Sequence, residues 1–294
     1  MSSPTERSLT ADALKRLGAM KNRRLKQVTR GLIRHLHDFV REVRPAPEEW
    51  MEAIRFLTAT GHKSDGNRQE FILLSDVLGV SMLVDAVNHD SPRGVTESTV
   101  LGPFHVEGAP FLTMGANISH GRGGEPVVVS GTVRSIEGDP IRGAVLDVWQ
   151  TAANGLYNVQ DPKQPEMNLR GKFRTGPKGT FEFRTIKPVS YPIPTDGPAG
   201  ILLKNMGRHP FRPAHIHFII SAKGYEPLTT HLFVKGDPYL KSDAVFGVKP
   251  SLIVDFKKVT SREEARKHGI SAPFTAVRYD FGLKPVKRGR SRRK

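Results

Sequence analysis

The sequence predicts an α+β protein, a helical N-terminal part joined to an antiparallel β-sandwich body. Two observations carry this. Over the first hundred residues apolar side chains recur at three- and four-residue spacing, the period of a helix with one apolar face. From about residue 126 the texture changes to short runs of valine, leucine, isoleucine and phenylalanine broken by glycine and proline, as in an all-β sandwich. At 294 residues the chain has ample material for a buried core, and it carries no internal repeat.

Taken in order, residues 1–24 are expected to be a flexible N-terminus and residues 25–98 a helical part. Its first helix, "LKQVTRGLIRHLHDFVREV", sets Leu25, Val28, Leu32, Leu36, Phe39 and Val43 on one stripe. A second follows Pro45-Ala46-Pro47 with Trp50, Ile54 and Leu57 on one face. A third, "NRQEFILLSDVLGVSMLVDAVN", is apolar nearly all round and is expected to be buried. Residues 99–283 form the sandwich. "EPVVVSGTV" and "AVLDVWQT" read as strands, and "GKFRT" and "TFEFRTI" flank the turn "GPKG" as a hairpin. Further strands are expected at "AHIHFIIS", "LTTHLFV" and "SLIVDF". Residues 284–294, "KPVKRGRSRRK", read as a disordered basic tail.

Composition narrows the chemistry. With no cysteine, disulfides, thiolate metal sites and cysteine nucleophiles are excluded, so any metal must be held by nitrogen and oxygen. No apolar run is long enough for a membrane span, the first residues lack a signal-peptide pattern, and a cytoplasmic location is expected. Seven of the sixteen net positive charges sit in the tail. The body has no basic stripe interleaved with aromatics, so no specific nucleic-acid partner is expected.

The segment "RPAHIHF" is unusual. Side chains in a strand repeat every two residues, so His215 and His217 share a face and supply half of a metal site. A pair of surface histidines is the bland alternative. Among only five tyrosines, Tyr157 lies in a loop of turn-formers just past a strand, and Tyr191 is held between prolines. Either tyrosine alone would more often be a packed aromatic with a bonded hydroxyl.

Together "DVWQTAANGLYNVQD", "LRGKFRTGPKGTFEFRTI", "YPIPTDGPAG" and "RPAHIHF", in that order, resemble the intradiol ring-cleaving dioxygenases, non-haem iron enzymes that open catechols between the two hydroxylated carbons. The resemblance runs from about residue 25 to 260 and includes the family's helical dimerisation part. It implies one Fe(III) per subunit held by Tyr157, Tyr191, His215 and His217, with a homodimer formed through the N-terminal helices. Hard phenolate donors favour the ferric state, and imidazole suits iron generally. The resemblance further implies that Tyr191 gives way to substrate and Tyr157 stays, the displaced base taking up a substrate proton. Arg212 matches the arginine that stabilises negative charge on the ring, although a structural ion pair would also explain it.

Substrate contacts follow by motif position: Leu73, Val100, Leu101 and Gly102, then Pro103, Ile193, Pro194 and Val245, as apolar walls, each equally explicable as core. Asp76 is an acid in an otherwise apolar helix, where catechol-specific members typically have an apolar residue. A local cap or salt bridge would explain it; so would a hydrogen bond accepted from a third ring hydroxyl. Family members acting on hydroxyquinol (1,2,4-trihydroxybenzene) resemble this chain in "FLTATG", "RQEFILLSD" and "THLFVKGDPYL…DAVFGV". Hydroxyquinol and O2 are therefore the expected substrates, with catechol or chlorocatechol as the neighbouring alternative. A colourless β-sandwich binding module and a zinc hydrolase are the readings from other classes. His231 stands near the iron where relatives commonly have glutamine, and His105 where they usually have an aromatic.

Overall fold

A computed structural model describes residues 5–6, 8–65, 68–121 and 123–286. The chain separates into two compact units, residues 1–58 and 59–294, a division earlier than the break at 98 read from composition.

In the first unit α1 (Ser8–Lys15) and a 3-10 turn (Arg16–Ala19) stand where a flexible extension was expected. They are held because Thr10 Oγ1 lies 2.9 Å from His37 Nδ1 and accepts from Arg41 Nη1 on α2 (Arg23–Val43). Asn22 caps α2, its Oδ1 accepting from Leu25 N, and a left-handed Arg44 ends it before Pro45. The α2 stripe read from the sequence is about half exposed along its length. α3 (Pro47–His62) starts at a proline whose missing N–H would be unpaired there in any case.

The third predicted helix is two helices, α4 (Glu70–Val77) and α5 (Val80–Asn88). Gly79, at φ +73, takes the left-handed turn between them. It is also not buried all round: Leu73 and Val77 pack with Ile193, Ala199 and Leu203, whereas Leu83, Val84 and Val87 are exposed.

The body consists of two facing sheets and a short ribbon. In the first sheet the long β1 (Pro126–Ser135) pairs antiparallel with β4 (Thr180–Ile186) and parallel with β11 (Phe274–Arg278) and β12 (Phe281–Leu283). β10 (Lys257–Val259) flanks β11. The second sheet runs β3 (Arg170–Arg174), β2 (Val145–Trp149), β7 (His215–Ser221), β8 (Leu228–Val234) and β9 (Ile253–Val254). The ribbon is β5 (Tyr191–Pro192) with β6 (Phe211–Arg212). α6 (Pro198–Asn205) packs on α4, and α7 (Arg262–Lys267) follows β10.

Two expectations change here. The sandwich is mixed rather than antiparallel, because β9 joins β8 in parallel and β11 and β12, two residues apart, run in succession parallel to the distant β1. The turn 176–179 is as tight as predicted, but β3 and β4 enter opposite sheets instead of forming a hairpin. Phe173 and Phe183 therefore meet across the core, rings stacked at 5.1 Å, with Phe218 and Phe281 continuing the cluster. Among the described residues no helix is long and apolar enough to cross a membrane. Most of the predicted basic tail, residues 287–294, lies outside the described residues.

Candidate metal centre

β7 is buried on both faces. Ile216, Phe218 and Ile220 point into the inter-sheet core, which leaves His215 and His217 on the other face. Register then decides what joins them. His217 lies opposite His231 of β8 and opposite Trp149 of β2, whose ring stacks on the imidazole at 4.6 Å. His231 is thus not merely nearby: it shares the face, 4.1 Å from His217 and 4.7 Å from His215 between ring centres. One nitrogen from each of the three lies within 4.8 Å of the others.

Both tyrosines reach this cluster. Tyr157 sits in the loop after β2, its amide bonded to Gln160 and its ring stacked on Phe104. Tyr191 is the first residue of β5, directly opposite Arg212 of β6. The donor atoms form a continuous set: His215 Nε2 to His217 Nε2 is 3.0 Å, His217 Nε2 to Tyr157 Oη 2.8 Å, and Tyr157 Oη to Tyr191 Oη 3.1 Å. Pro213 O lies 2.6 Å from His215 Nδ1 and accepts its N–H, so the Nε2 lone pair faces the centre. Arg212 Nη1 stands 3.1 Å from that lone pair. Asp243 accepts from Arg212 Nε and Nη2 and from the amides of Val245 and Gly247.

Burial, then the Arg212 charge, holds the His215 pKa well below the usual imidazole range; at His231 burial, then His215 and Arg212, do the same, and at His217 the neighbouring histidines add to burial. All three imidazoles are held in the neutral form. Burial and the adjacent Tyr191 push the Tyr157 phenol well up. Burial works against the charge on Arg212, but Asp243 and the tyrosines outweigh it and raise its pKa. Arg170, buried beneath the Tyr157 ring at 5.9 Å, is pulled down to about 10 by desolvation. His217 Nδ1 and Trp149 Nε1 are buried without a hydrogen-bond partner among the described residues. Neutral imidazoles and phenols converging with lone pairs inward make a pocket for a cation, and a sulfur-free N/O set containing two phenols fits iron.

Asp76, on α4, is buried. Desolvation raises its carboxyl pKa, against a hydrogen bond from Ser81 and the charge of Arg212. Among the described residues it forms none of the salt bridges that the sequence left open. With Val100, Leu101 and Gly102 it lines a cavity of about 410 Å³, whose lining among the described residues contains none of the four tyrosine and histidine donors. Gly102 joins the two: at φ +76 it packs against His217, and a Cβ there would lie 3.4 Å from Cε1. Leu73, Val100, Ile193 and Val245 share one apolar cluster. Pro194 is half-buried beside Ile193, and Pro103 lines a separate cavity of about 190 Å³ with Phe104 and His105. His105 contacts Asp147 at 3.3 Å and meets Trp149 edge-on. A further cavity, about 450 Å³ along Arg208, Lys241 and Phe246, touches the centre only through Asp243. Asp243 and Trp149 went unread in the sequence; the acid of "DAVFGV" was the available signal.

Two family models match the chain, one described as "Dioxygenase" over residues 100–285 and one as "Catechol dioxygenase N terminus" over residues 22–96. The chain belongs to the intradiol dioxygenase family. Intradiol dioxygenases generally use non-haem iron, in keeping with this donor set. A hydroxyquinol 1,2-dioxygenase of Rhizobium sp. (strain MTP-10005) is 52% identical over 262 residues, 88% of this chain and 89% of that protein. A 6-chlorohydroxyquinol 1,2-dioxygenase of Cupriavidus pinatubonensis is 53% identical over 87% of this chain and 92% of its own. The crystal structure of a hydroxyquinol 1,2-dioxygenase from Pseudomonas putida DLL-E4 superposes with a TM-score of 0.88 at 51% identity, covering 96% and 99% of the two chains.

Proposed function

We propose that this intradiol dioxygenase cleaves hydroxyquinol with O2 at a mononuclear ferric site, one per subunit, giving 3-hydroxy-cis,cis-muconate and its keto form maleylacetate. Relatives named for hydroxyquinol and its 6-chloro derivative, at 52% and 53% identity, support the substrate. The observation that carries the chemistry is the set of four donors, Tyr157, Tyr191, His215 and His217, linked at 2.8–3.1 Å in a buried pocket. These four would hold the ion, and ferric iron bound there would supply Lewis acidity to activate an aromatic diol toward O2.

The protein's own groups do the rest. Tyr191 yields its place to substrate and takes a proton at Oη, while Tyr157, packed under Phe104, stays. Arg212, charged and oriented by Asp243, donates toward the negative charge that builds on the ring. Asp76 accepts from the third hydroxyl, and Leu73, Val100, Leu101, Gly102, Pro103, Ile193, Pro194 and Val245 exclude water around the ring. His231 faces the same space and tunes it as an unligated neutral base. Two copies associate through the half-exposed α2 stripe.

Oxygen uptake by the iron-loaded protein, with hydroxyquinol and catechol at equal concentration and an autoxidation control, tests the reading. Uptake at least about tenfold faster with hydroxyquinol is expected, and Asp76→Ala should abolish most of that ratio. Equal uptake by the unmodified protein would remove the hydroxyl-recognition role of Asp76. No uptake with either substrate would remove the enzyme reading.

A further inference from the structure

The ribbon that carries Tyr191 toward His215 is too short to position it alone. β5 and β6 pair at only two rungs, Tyr191 with Arg212 and Pro192 with Phe211. The next rung would set Ser190 against Pro213, and proline has no N–H to give a ladder. At that point a carboxylate from elsewhere takes over. Asp237, just past β8, accepts at Oδ2 from the Ser190 hydroxyl and from the Ala214 amide at 2.9 Å. Its other oxygen accepts from Tyr239 N at 2.9 Å. That last bond is an ordinary turn closure two residues on. The Oδ2 bonds are not local: they reach 47 and 23 residues along the chain, to the residue before Tyr191 and the residue before His215.

We propose that Asp237 is a positioning residue for the metal centre: one carboxylate oxygen clamps the Tyr191 arm to the His215 arm and sets the spacing of those two donors. The proposal rests on the ligand reading above. Asp237 forms no ion pair among the described residues, so its charge serves these three donors and not a surface salt bridge. A carboxylate accepts from all three donors at once, whereas an asparagine would keep an acceptor for the Ser190 and Ala214 pair only by turning its NH2 toward the Tyr239 amide. Its base is rigid: Asp237 N donates to Val234 O, and Val234 N to Ala214 O, so the loop springs from the same β7–β8 ladder that carries His215. Losing the Ser190 arm frees Tyr191 while leaving the His215 side intact. Losing Asp237 frees both.

The test uses the full chain loaded with ferric iron. Tyrosinate bound to Fe(III) gives a visible charge-transfer band, which reports directly on the tyrosines. Ser190→Ala is expected to shift and weaken the band of the resting protein and to lower ferric-ion affinity about 10- to 100-fold, as is usual for groups supporting metal ligands. Ser190→Thr, which keeps the hydroxyl, should restore both. Once anaerobic hydroxyquinol has displaced Tyr191, the Ser190→Ala spectrum should match the unmodified protein's, a pattern that a general loss of structure would not give. Asp237→Ala, which removes both clamp bonds, should show the larger affinity loss; if it does not fold, Ser190→Ala, which removes one half-buried hydroxyl, decides alone. Folded Ser190→Ala protein with unchanged band and affinity would overturn the clamp. An unmodified protein that binds iron without any visible band would overturn the tyrosine-ligand reading, and the clamp with it.

Discussion

At the residue scale the centre is set by burial acting on ordinary groups. His215, His217 and His231 would each titrate near pH 6.5 in an unfolded chain, but in the fold they resist protonation. Below about pH 6.5 the unfolded chain therefore takes up protons that the folded one refuses, and stability falls as pH drops. Each histidine contributes up to about 1.4 kcal/mol per pH unit in that window. Urea midpoints of the iron-free protein should be lower at pH 5.5 than at pH 7.5, and His231→Gln should flatten that dependence. Asp76 works with the opposite sign and in a lower window: with its carboxyl pKa raised, it withdraws stability as pH rises from about 3.8 toward the raised value. Gly102 presents a different constraint. Gly102→Ala introduces a strained φ and presses on His217, so a loss of about 1 kcal/mol with weakened iron binding is expected by thermal melting and metal titration.

At the element scale turn chemistry and pairing separate. The stretch "GPKG" specifies a tight turn, and the turn is there. Whether its strands pair depends on where Phe173 and Phe183 can be buried, and facing sheets bury both better than neighbouring strands of one sheet. β1 shows the same dependence on distant partners. Tyr279 O, between β11 and β12, approaches so closely that a Cβ at Gly131 would lie 1.7 Å from it. Gly131→Ala is expected to cost about 3 kcal/mol or more, or to prevent soluble expression, measured by urea unfolding. The α4–α5 break follows from local sequence, since "LG" before "VSML" offers the left-handed turn at Gly79, but uniform apolar composition hides it.

At the scale of the whole molecule, the fold matches the intradiol dioxygenases over nearly the entire chain. The α2 stripe Leu25, Val28, Leu32, Leu36, Phe39 and Val43 stays about half exposed, a contiguous apolar surface on one helix. On the proposed dimer, Leu32→Glu with Leu36→Glu should halve the mass measured by sedimentation without abolishing the visible band of the iron-loaded protein. An unchanged mass would place the interface elsewhere.

By itself the sequence determined the α+β class, the helix periods at α2 and α3, the sharing of one face by His215 and His217, and, through four motifs in order, the tyrosines to put beside them. These are local facts: side-chain period and turn preference act over a few residues, and the motifs are contiguous. Tertiary structure alone decided the parallel returns of β9, β11 and β12, the parting of β3 and β4, and the contact by which His231, expected only near the iron, joins the imidazoles because β7–β8 register sets it opposite His217. It also decided the work of Asp237 and Asp243, two acids in a polar loop whose decisive partners, beyond their local turn bonds, lie 23 to 47 residues away. A carboxylate's chemistry is written in its residue type. Which donors it meets depends on the packing of two sheets, and no local pattern encodes that.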